Sequence, residues 1–156
     1  VEAMENESDP NIQASDVQTN IAKAFWKIRN HLQQNHATSP STKWLPCHAI
    51  DLKQDGQLSA HVDSVRFSGH IVAGLSLLSP AIMRLKEEDQ ESDQFVDLYL
   101  PPRSLYVLTG VGRYEYSHEL LPDGSTFCSP PGDPITVPRE QRLSIIFRDA
   151  KEEEEK

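Results

Sequence analysis

Short apolar segments separated by turn residues dominate the chain from Trp44 onwards. The near-continuous apolar run over 71–78 predicts a central, well-buried strand that ends at Ser79-Pro80. Alternation over 95–100 predicts a half-buried strand, because successive side chains of a strand point to opposite faces. Further strands are predicted over 44–52, around His61, and over 81–85, 105–109 and 142–148. Many short strands with turn signals between them are typical of a sandwich, jelly roll or barrel.

The segments around these strands carry other patterns. Apolar residues at helical spacing over 21–32 predict an amphipathic helix packed on the outside of a sheet. We expect its aromatic pair, Phe25 and Trp26, to be core residues. The pair Asp55-Gly56 predicts a hairpin between its flanking strands. We expect a hairpin connection at 87–93, a helical turn at 113–116 and a long irregular loop at 122–138.

The two ends of the chain are acidic, whereas the middle is nearly neutral. The 156 residues carry a formal charge of -9 and are enough for one domain with a sizeable core. Residues 1–20 and 149–156 are polar and acidic and are expected to be disordered, which leaves one domain over 21–148. Because the acidic ends account for most of the charge, binding of a polyanion is neither promoted nor excluded.

Two cysteines, Cys47 and Cys128, have no spacing typical of a disulfide framework, which fits a reducing compartment. No apolar run approaches transmembrane length and no signal peptide is visible, so membrane insertion is not expected. The chain begins at Val1 rather than Met, which is compatible with a fragment or a processed form whose targeting segment is out of view.

The first candidate site is the tripeptide His61-Val62-Asp63. In a strand, His61 and Asp63 lie on the same face, because side chains alternate. An imidazole beside a carboxylate supplies two of the three ligands in the 2-His-1-carboxylate arrangement that holds non-haem Fe(II). His118 is placed to supply the third. Taken alone, the H-x-D pattern is weak, because most such tripeptides are ordinary surface residues.

The last predicted strand carries the second candidate site. Arg142, Ser144, Ile146 and Arg148 share one face of an otherwise apolar strand. Arginine is rarely buried without a partner, so an anionic ligand or paired carboxylates would account for these residues. Guanidinium is suited to bidentate capture of a carboxylate. The alternative is that both arginines lie at the strand ends and point to water.

Together, H-x-D, a distant histidine and two arginines five residues apart resemble the Fe(II)/2-oxoglutarate dioxygenases of the AlkB family. The resemblance extends in order and spacing over roughly 46–148, and it is to a mitochondrial member. It is carried by His61-Val62-Asp63-Ser64, by 73–80 and 104–108, by Arg113-Tyr114 with Ser117-His118-Glu119, and by Val137-Pro138-Arg139 with 142–148. It implies a double-stranded β-helix, or jelly roll, with one flanking helix before it.

The resemblance also implies roles for individual residues. His61, Asp63 and His118 would bind Fe(II), with 2-oxoglutarate and O2 as cosubstrates. Arg142 would hold the distal carboxylate of 2-oxoglutarate with Leu143 and Ser144 beside it, Tyr106 would contact the same molecule, and Arg148 would order the end nearer the metal. Many relatives carry an Asn-x-Tyr pair before the first histidine, whereas here Ile50 and Leu52 occupy those positions.

The implied reaction is oxidation of a C–H bond or an N-methyl group, but three functions stay open. One is demethylation of RNA in the mitochondrial matrix. Another is protein hydroxylation with a role in regulated necrotic cell death or fatty-acid metabolism, and the third is a non-catalytic jelly-roll interaction module. Duplex DNA is not expected as a substrate, because no basic, aromatic-interleaved segment precedes the core to grip a flipped base. We expect a monomer.

Overall fold

Two compact units, residues 1–35 and 36–156, make up the chain. The structure is a computed structural model that describes residues 14–37, 41–88, 94–129 and 131–151. In chain order its elements are α1 (Ala14–His36), β1 (His48–Leu52), β2 (Leu58–His61), β3 (Val72–Leu78), β4 (Ala81–Glu87), β5 (Phe95–Leu100), β6 (Ser104–Leu108), α2 (Gly110–Tyr114), β7 (Tyr116–Leu120), β8 (Ser125–Phe127), β9 (Ile135–Val137) and β10 (Arg142–Arg148).

Helix α1 is longer than its apolar spacing predicted. It begins at Ala14, so residues 14–20, which were expected to be disordered, are helical, and the rest of that segment lies outside the described residues. Asp16 in the first turn favours this start, because a negative charge is stabilising at a helix N-terminus. The expectation that Trp26 is a core residue is wrong, since 66% of it is exposed. Trp26 lies about 100° around the helix from Phe25 and so leaves the apolar stripe.

Two four-stranded antiparallel sheets form the second unit. The first has the strand order β1-β10-β3-β6 and the second has the order β2-β7-β4-β5. One core cluster combines Ala81, Met83 and Leu120 of the second sheet with Leu52 and Tyr106 of the first. The two sheets therefore pack face to face, and the predicted jelly roll is confirmed. Strand β3 is central and buried over most of its length, as its apolar run predicted.

The predicted hairpin at Asp55-Gly56 is wrong. A turn is present, because the amide of Gly56 donates to the carbonyl of Lys53 at 3.0 Å, but β1 pairs with β10 whereas β2 pairs with β7. The turn therefore carries the chain from one sheet to the other. The buried Arg139 donates to the carbonyls of Lys53 and Gly56 and so holds the turn from outside its own sequence.

Two segments predicted as irregular are ordered. The stretch 122–138 contains a small hairpin of β8 and β9, in which Ser125 pairs with Val137. Asp149, placed by the sequence in a disordered tail, is buried, and its carboxylate accepts from the amides of His70 and Ile71 at 3.0 and 2.7 Å. The folded unit therefore extends past Arg148, because this carboxylate satisfies two backbone donors at the start of β3.

No helix in the described part of the chain is both long and apolar enough to cross a membrane.

Candidate metal centre

Two histidines meet across neighbouring strands. His61 at the end of β2 lies directly opposite His118 of β7, and their ring centroids are 4.4 Å apart. Asp63 follows just beyond β2 on the same side. One ligand atom from each of the three residues lies within 4.8 Å of the other two. The structure thus brings together the three residues that the sequence singled out, although two of them are 55 or more positions from the third.

The hydrogen bonds of these histidines leave metal-binding atoms available. The Nδ1 of His61 lies 2.8 Å from the carbonyl of Ser59, which can only accept, so Nδ1 carries the proton and Nε2 is left as a ligand. Burial, together with the neighbouring His61, lowers the pKa of His118 from 6.5 to about 4 against the opposing effect of Asp63. His118 is therefore a neutral imidazole at neutral pH, which is the form that binds a metal.

Arg148 contacts a proposed metal ligand. Its Nη2 donates to Oδ1 of Asp63 at 2.6 Å, and Oδ2 of the same carboxylate lies 3.8 Å from Nε2 of His118. One oxygen of Asp63 is thus held by the arginine while the other faces the histidines. The resemblance placed Arg148 at the metal end of the cosubstrate, and the structure places it on the Asp63 carboxylate.

Arg113 was not given a role from the sequence. It is 1% exposed, and its guanidinium donates to the carbonyl of Asp63 and to the hydroxyl of Ser68, both at 2.7 Å. It therefore fixes the backbone of Asp63 and the loop that follows. No local pattern marks Arg113, because its partners lie at least 45 positions earlier in the chain.

A second cluster of polar groups surrounds Arg142 on β10. Arg142 is 2% exposed, and its Nε donates to the hydroxyl of Ser76 at 3.1 Å. Among the described residues, its Nη2 and the hydroxyls of Ser144 and Ser104 are buried without a hydrogen-bond partner of good geometry. The alternative that Arg142 points to water is therefore wrong. A buried guanidinium with a free N–H is suited to a carboxylate ligand.

Tyr106 links the two clusters. Burial raises the pKa of its hydroxyl, while Arg142 and Ser144 act to lower it and Asp63 acts to raise it. The hydroxyl is therefore protonated at neutral pH and lies within electrostatic reach of both Arg142 and Asp63. Leu143, by contrast, lies between Arg142 and Ser144 along β10, so its side chain points to the opposite face of the sheet.

The positions that carry Asn-x-Tyr in many relatives are core positions here. Ile50 packs against a cluster of Val72, Leu108 and Ile146. Leu52 packs against the cluster that contains Met83. Neither side chain has a polar atom to offer a cosubstrate, so cosubstrate contacts must come from other strands.

Together these residues fit a metal and an organic acid side by side. Two imidazoles and one carboxylate are the donor set of non-haem Fe(II) sites that keep open coordination positions. The free N–H of Arg142 supplies the complementary charge for a carboxylate nearby. The donor set and the cation thus match Fe(II) together with a dicarboxylic acid.

Comparison with known proteins agrees with this geometry. Residues 4–148 match the 2OG-Fe(II) oxygenase superfamily. Over 107 residues the chain is 46% identical to a mitochondrial protein of Mus musculus named alpha-ketoglutarate-dependent dioxygenase alkB homolog 7, covering 69% of this chain and 46% of that protein. The Bos taurus protein of the same name is 44% identical over 105 residues, with 67% and 45% covered. The chain thus spans about half the length of the curated relatives it matches.

A solved structure shows the same fold. A prolyl-4-hydroxylase of Pseudomonas putida superimposes with a TM-score of 0.52 over 93% of this chain and 71% of its own. Its sequence is 15% identical, so the likeness concerns the fold alone.

Proposed function

The chain belongs to the 2OG-Fe(II) oxygenase superfamily, and we propose that it is an Fe(II)- and 2-oxoglutarate-dependent dioxygenase of the AlkB family. The observation that carries this proposal is the cluster of His61, Asp63 and His118, whose ligand atoms lie within 4.8 Å of one another. The unpaired N–H of the buried Arg142 supports it, because a carboxylate of 2-oxoglutarate would satisfy that donor.

Each of these residues has a distinct part in the proposed mechanism. His61, Asp63 and His118 would hold Fe(II) from one side, and Arg142 with Ser144 and Tyr106 would hold 2-oxoglutarate. Bound there, Fe(II) with 2-oxoglutarate and O2 would supply the oxidation of a substrate C–H bond, with conversion of 2-oxoglutarate to succinate and CO2. Arg113 and Arg148 fix the backbone and carboxylate of Asp63, so that this ligand keeps its orientation.

We propose RNA as the substrate class, with removal of N-methyl groups as the reaction. In the loop that follows Asp63, the ring of Phe67 is 72% exposed, and the guanidinium of Arg66 lies 5.7 Å from its centroid. An exposed aromatic ring beside a cation suits an unstacked base and its phosphate. Location in the mitochondrial matrix and a part in necrotic cell death or fatty-acid metabolism remain predictions from the resemblance.

The dioxygenase is tested by succinate formation. Protein loaded with Fe(II) under nitrogen and then exposed to O2 should convert 2-oxoglutarate to succinate without added substrate. Asp63→Ala should lose both iron and succinate production while the far-UV circular dichroism stays unchanged. Absence of iron at one equivalent, together with absence of turnover, would favour the non-catalytic interaction module.

The substrate class is tested separately. Methylated RNA oligonucleotides and a peptide library are incubated with the active protein, and formaldehyde and mass shifts are measured. Stimulated turnover with formaldehyde release from RNA supports the proposal. A mass gain of one oxygen on peptides, with RNA inert, would make the protein a hydroxylase.

A further inference from the structure

Gly74 lies in the middle of the first sheet, where a glycine is otherwise unfavourable. It is paired with Tyr106 of β6 on one side and with Ile146 of β10 on the other. Glycine in a strand interior weakens it, because glycine has no side chain to pack and loses more backbone entropy on folding. The position therefore calls for a specific explanation.

The explanation is the ring of Tyr106. A Cβ built on Gly74 would overlap the Cζ, Cε1 and hydroxyl oxygen of Tyr106. The ring thus lies directly against the backbone of β3 at this residue, with its hydroxyl end over the glycine. Every other residue carries a Cβ that would occupy that space.

The direction of the Tyr106 ring determines which residues its hydroxyl meets. Tyr106 belongs to β6, whereas Arg142 and Ser144 belong to β10, and β3 lies between these two strands. Both Arg142 and Ser144 nevertheless act on the Tyr106 hydroxyl, and Tyr106 acts in turn on Arg142. The side chain therefore crosses β3 above Gly74 and presents its hydroxyl to the arginine cluster on the next strand.

We propose that Gly74 is a positioning residue for 2-oxoglutarate: its missing side chain lets the Tyr106 ring cross β3 and sets the hydroxyl beside Arg142 and Ser144. There the hydroxyl donates to the carboxylate that Arg142 binds. This inference rests on the proposed function, because it assumes that the arginine cluster receives 2-oxoglutarate. Gly74 itself touches no cosubstrate and acts through Tyr106.

A glycine beneath an aromatic ring also has a purely structural use, because the ring covers the exposed backbone. The two roles differ in what they predict. If Gly74 acts through Tyr106 on ligand binding, its replacement costs affinity only while Tyr106 is present. If Gly74 serves the strand alone, its replacement lowers the free energy of unfolding but leaves the affinity of the folded protein for 2-oxoglutarate unchanged.

The test is a double-mutant cycle on the full chain. Gly74→Ala, Tyr106→Ala, the double variant and Tyr106→Phe are loaded with Mn(II) under nitrogen, where no turnover occurs, and titrated with 2-oxoglutarate by calorimetry. Gly112→Ala is the matched control, because a Cβ at Gly112 meets nothing within 4 Å. Affinity for Mn(II) is measured on every variant, since none of these residues is a proposed metal ligand.

We expect Gly74→Ala and Tyr106→Phe each to weaken 2-oxoglutarate binding about tenfold or more, the cost of one hydrogen bond to a charged group. The double variant should bind no more weakly than Tyr106→Ala alone, which is the signature of two residues acting as one. Gly112→Ala should bind like the wild type, and Mn(II) affinity should be equal throughout.

Unchanged binding in Gly74→Ala or in Tyr106→Phe would overturn the inference, as would additive losses in the double variant. If Gly74→Ala does not fold and the double variant does, the ring crossing is supported, and Tyr106→Phe decides whether the hydroxyl binds the ligand. If the wild type binds both Mn(II) and 2-oxoglutarate and Gly74→Ala binds them equally well, only the role of Gly74 is rejected. A wild type that binds neither rejects the proposed function itself.

Discussion

Arg142 and Arg148 lie on the same face of one strand, but their partners differ. Arg148 pairs with the carboxylate of Asp63 at 2.6 Å, whereas Arg142 has no carboxylate within ion-pair distance among the described residues. A buried, unpaired cation lowers the free energy of unfolding, and burial accordingly lowers the pKa of Arg142. The fold tolerates this cost, and the proposed cosubstrate offsets it.

Replacing Arg142 by an apolar side chain of similar length should therefore have different effects on the thermal stability of the ligand-free protein and on the binding of 2-oxoglutarate. We expect Arg142→Met to keep or raise the melting temperature of the ligand-free protein, because a desolvated guanidinium is removed without leaving a large cavity. The same variant should lose the thermal stabilisation that 2-oxoglutarate gives the Mn(II)-loaded wild type. A strong fall in melting temperature without ligand would mean that Arg142 is satisfied by groups of the fold.

Arg148 is expected to act on the metal instead. Arg148→Ala should weaken Mn(II) binding about 10–100-fold, because the outer oxygen of Asp63 loses its partner and the carboxylate its fixed orientation. Calorimetric titration of the metal measures this effect. Arg84→Ala is the matched control, since it breaks an ion pair of 2.8 Å with Asp97 on the second sheet. Equal metal affinity in the two variants would contradict the role of Arg148.

The pair His61 and Asp63 was visible in the sequence because the spacing of these proposed metal ligands is local, although β2 ends at His61 and Asp63 lies just beyond it. The chemistry of Arg142 and Arg148 did not distinguish their roles, because both are arginines on the same face of one strand, and only the resemblance assigned them to different ends of the cosubstrate. The contact between Arg148 and the Asp63 carboxylate was not predicted, because Asp63 lies 85 positions earlier in the chain. Arg113 and Gly74 were missed for a similar reason, since each acts on a residue far away in sequence.

At the scale of elements, the strands were predictable and their partners were not. Strands β3, β5 and β10 follow periodicities that local sequence carries, and each lies within a residue of its predicted bounds. The turn at Asp55-Gly56 is also real, but turn chemistry does not specify which sheet the chain enters next. Arg139 contributes to that choice from a distant part of the chain by holding the turn.

The carboxylate of Asp149 connects the end of β10 to the backbone that leads into β3. Asp149→Ala should lower the free energy of unfolding by about 2–4 kcal/mol, because the buried amide of Ile71 and the partly buried amide of His70 lose their acceptor. Denaturant titration measures the change. Asp51→Ala provides the control, since Asp51 is exposed and should cost less than about 0.5 kcal/mol. An equal loss in both variants would show that the 149–151 segment is not part of the folded unit.

At the scale of the whole molecule, the buried imidazole of His118 links folding to pH. Its pKa is about 4 in the folded protein and near 6.5 when exposed, so the unfolded chain takes up the proton first as pH falls. The contribution of His118 to stability is complete above pH 6.5 and is lost towards pH 4.

We therefore expect the free energy of unfolding of metal-free protein to fall by on the order of 2–3 kcal/mol more in the wild type than in His118→Asn between these pH values. Chemical denaturation in the presence of a chelator measures it. Parallel pH profiles for the two proteins would contradict a buried, neutral His118.

The pairing of β1 with β10 has a consequence for how this protein is made. The second strand of the first sheet, β10, is the last strand among the described residues, and the contact between Asp63 and Arg148 joins residues 85 positions apart. During synthesis, β1 and the segment that carries Asp63 emerge long before β10 exists. Such non-local pairing is slow and leaves strand edges exposed to wrong partners. A ribosome-bound chain that ends before Arg142 would thus have Arg113 on the Asp63 backbone but not Arg148 on the Asp63 carboxylate, so the full set of contacts to Asp63 would form only after β10 has been made.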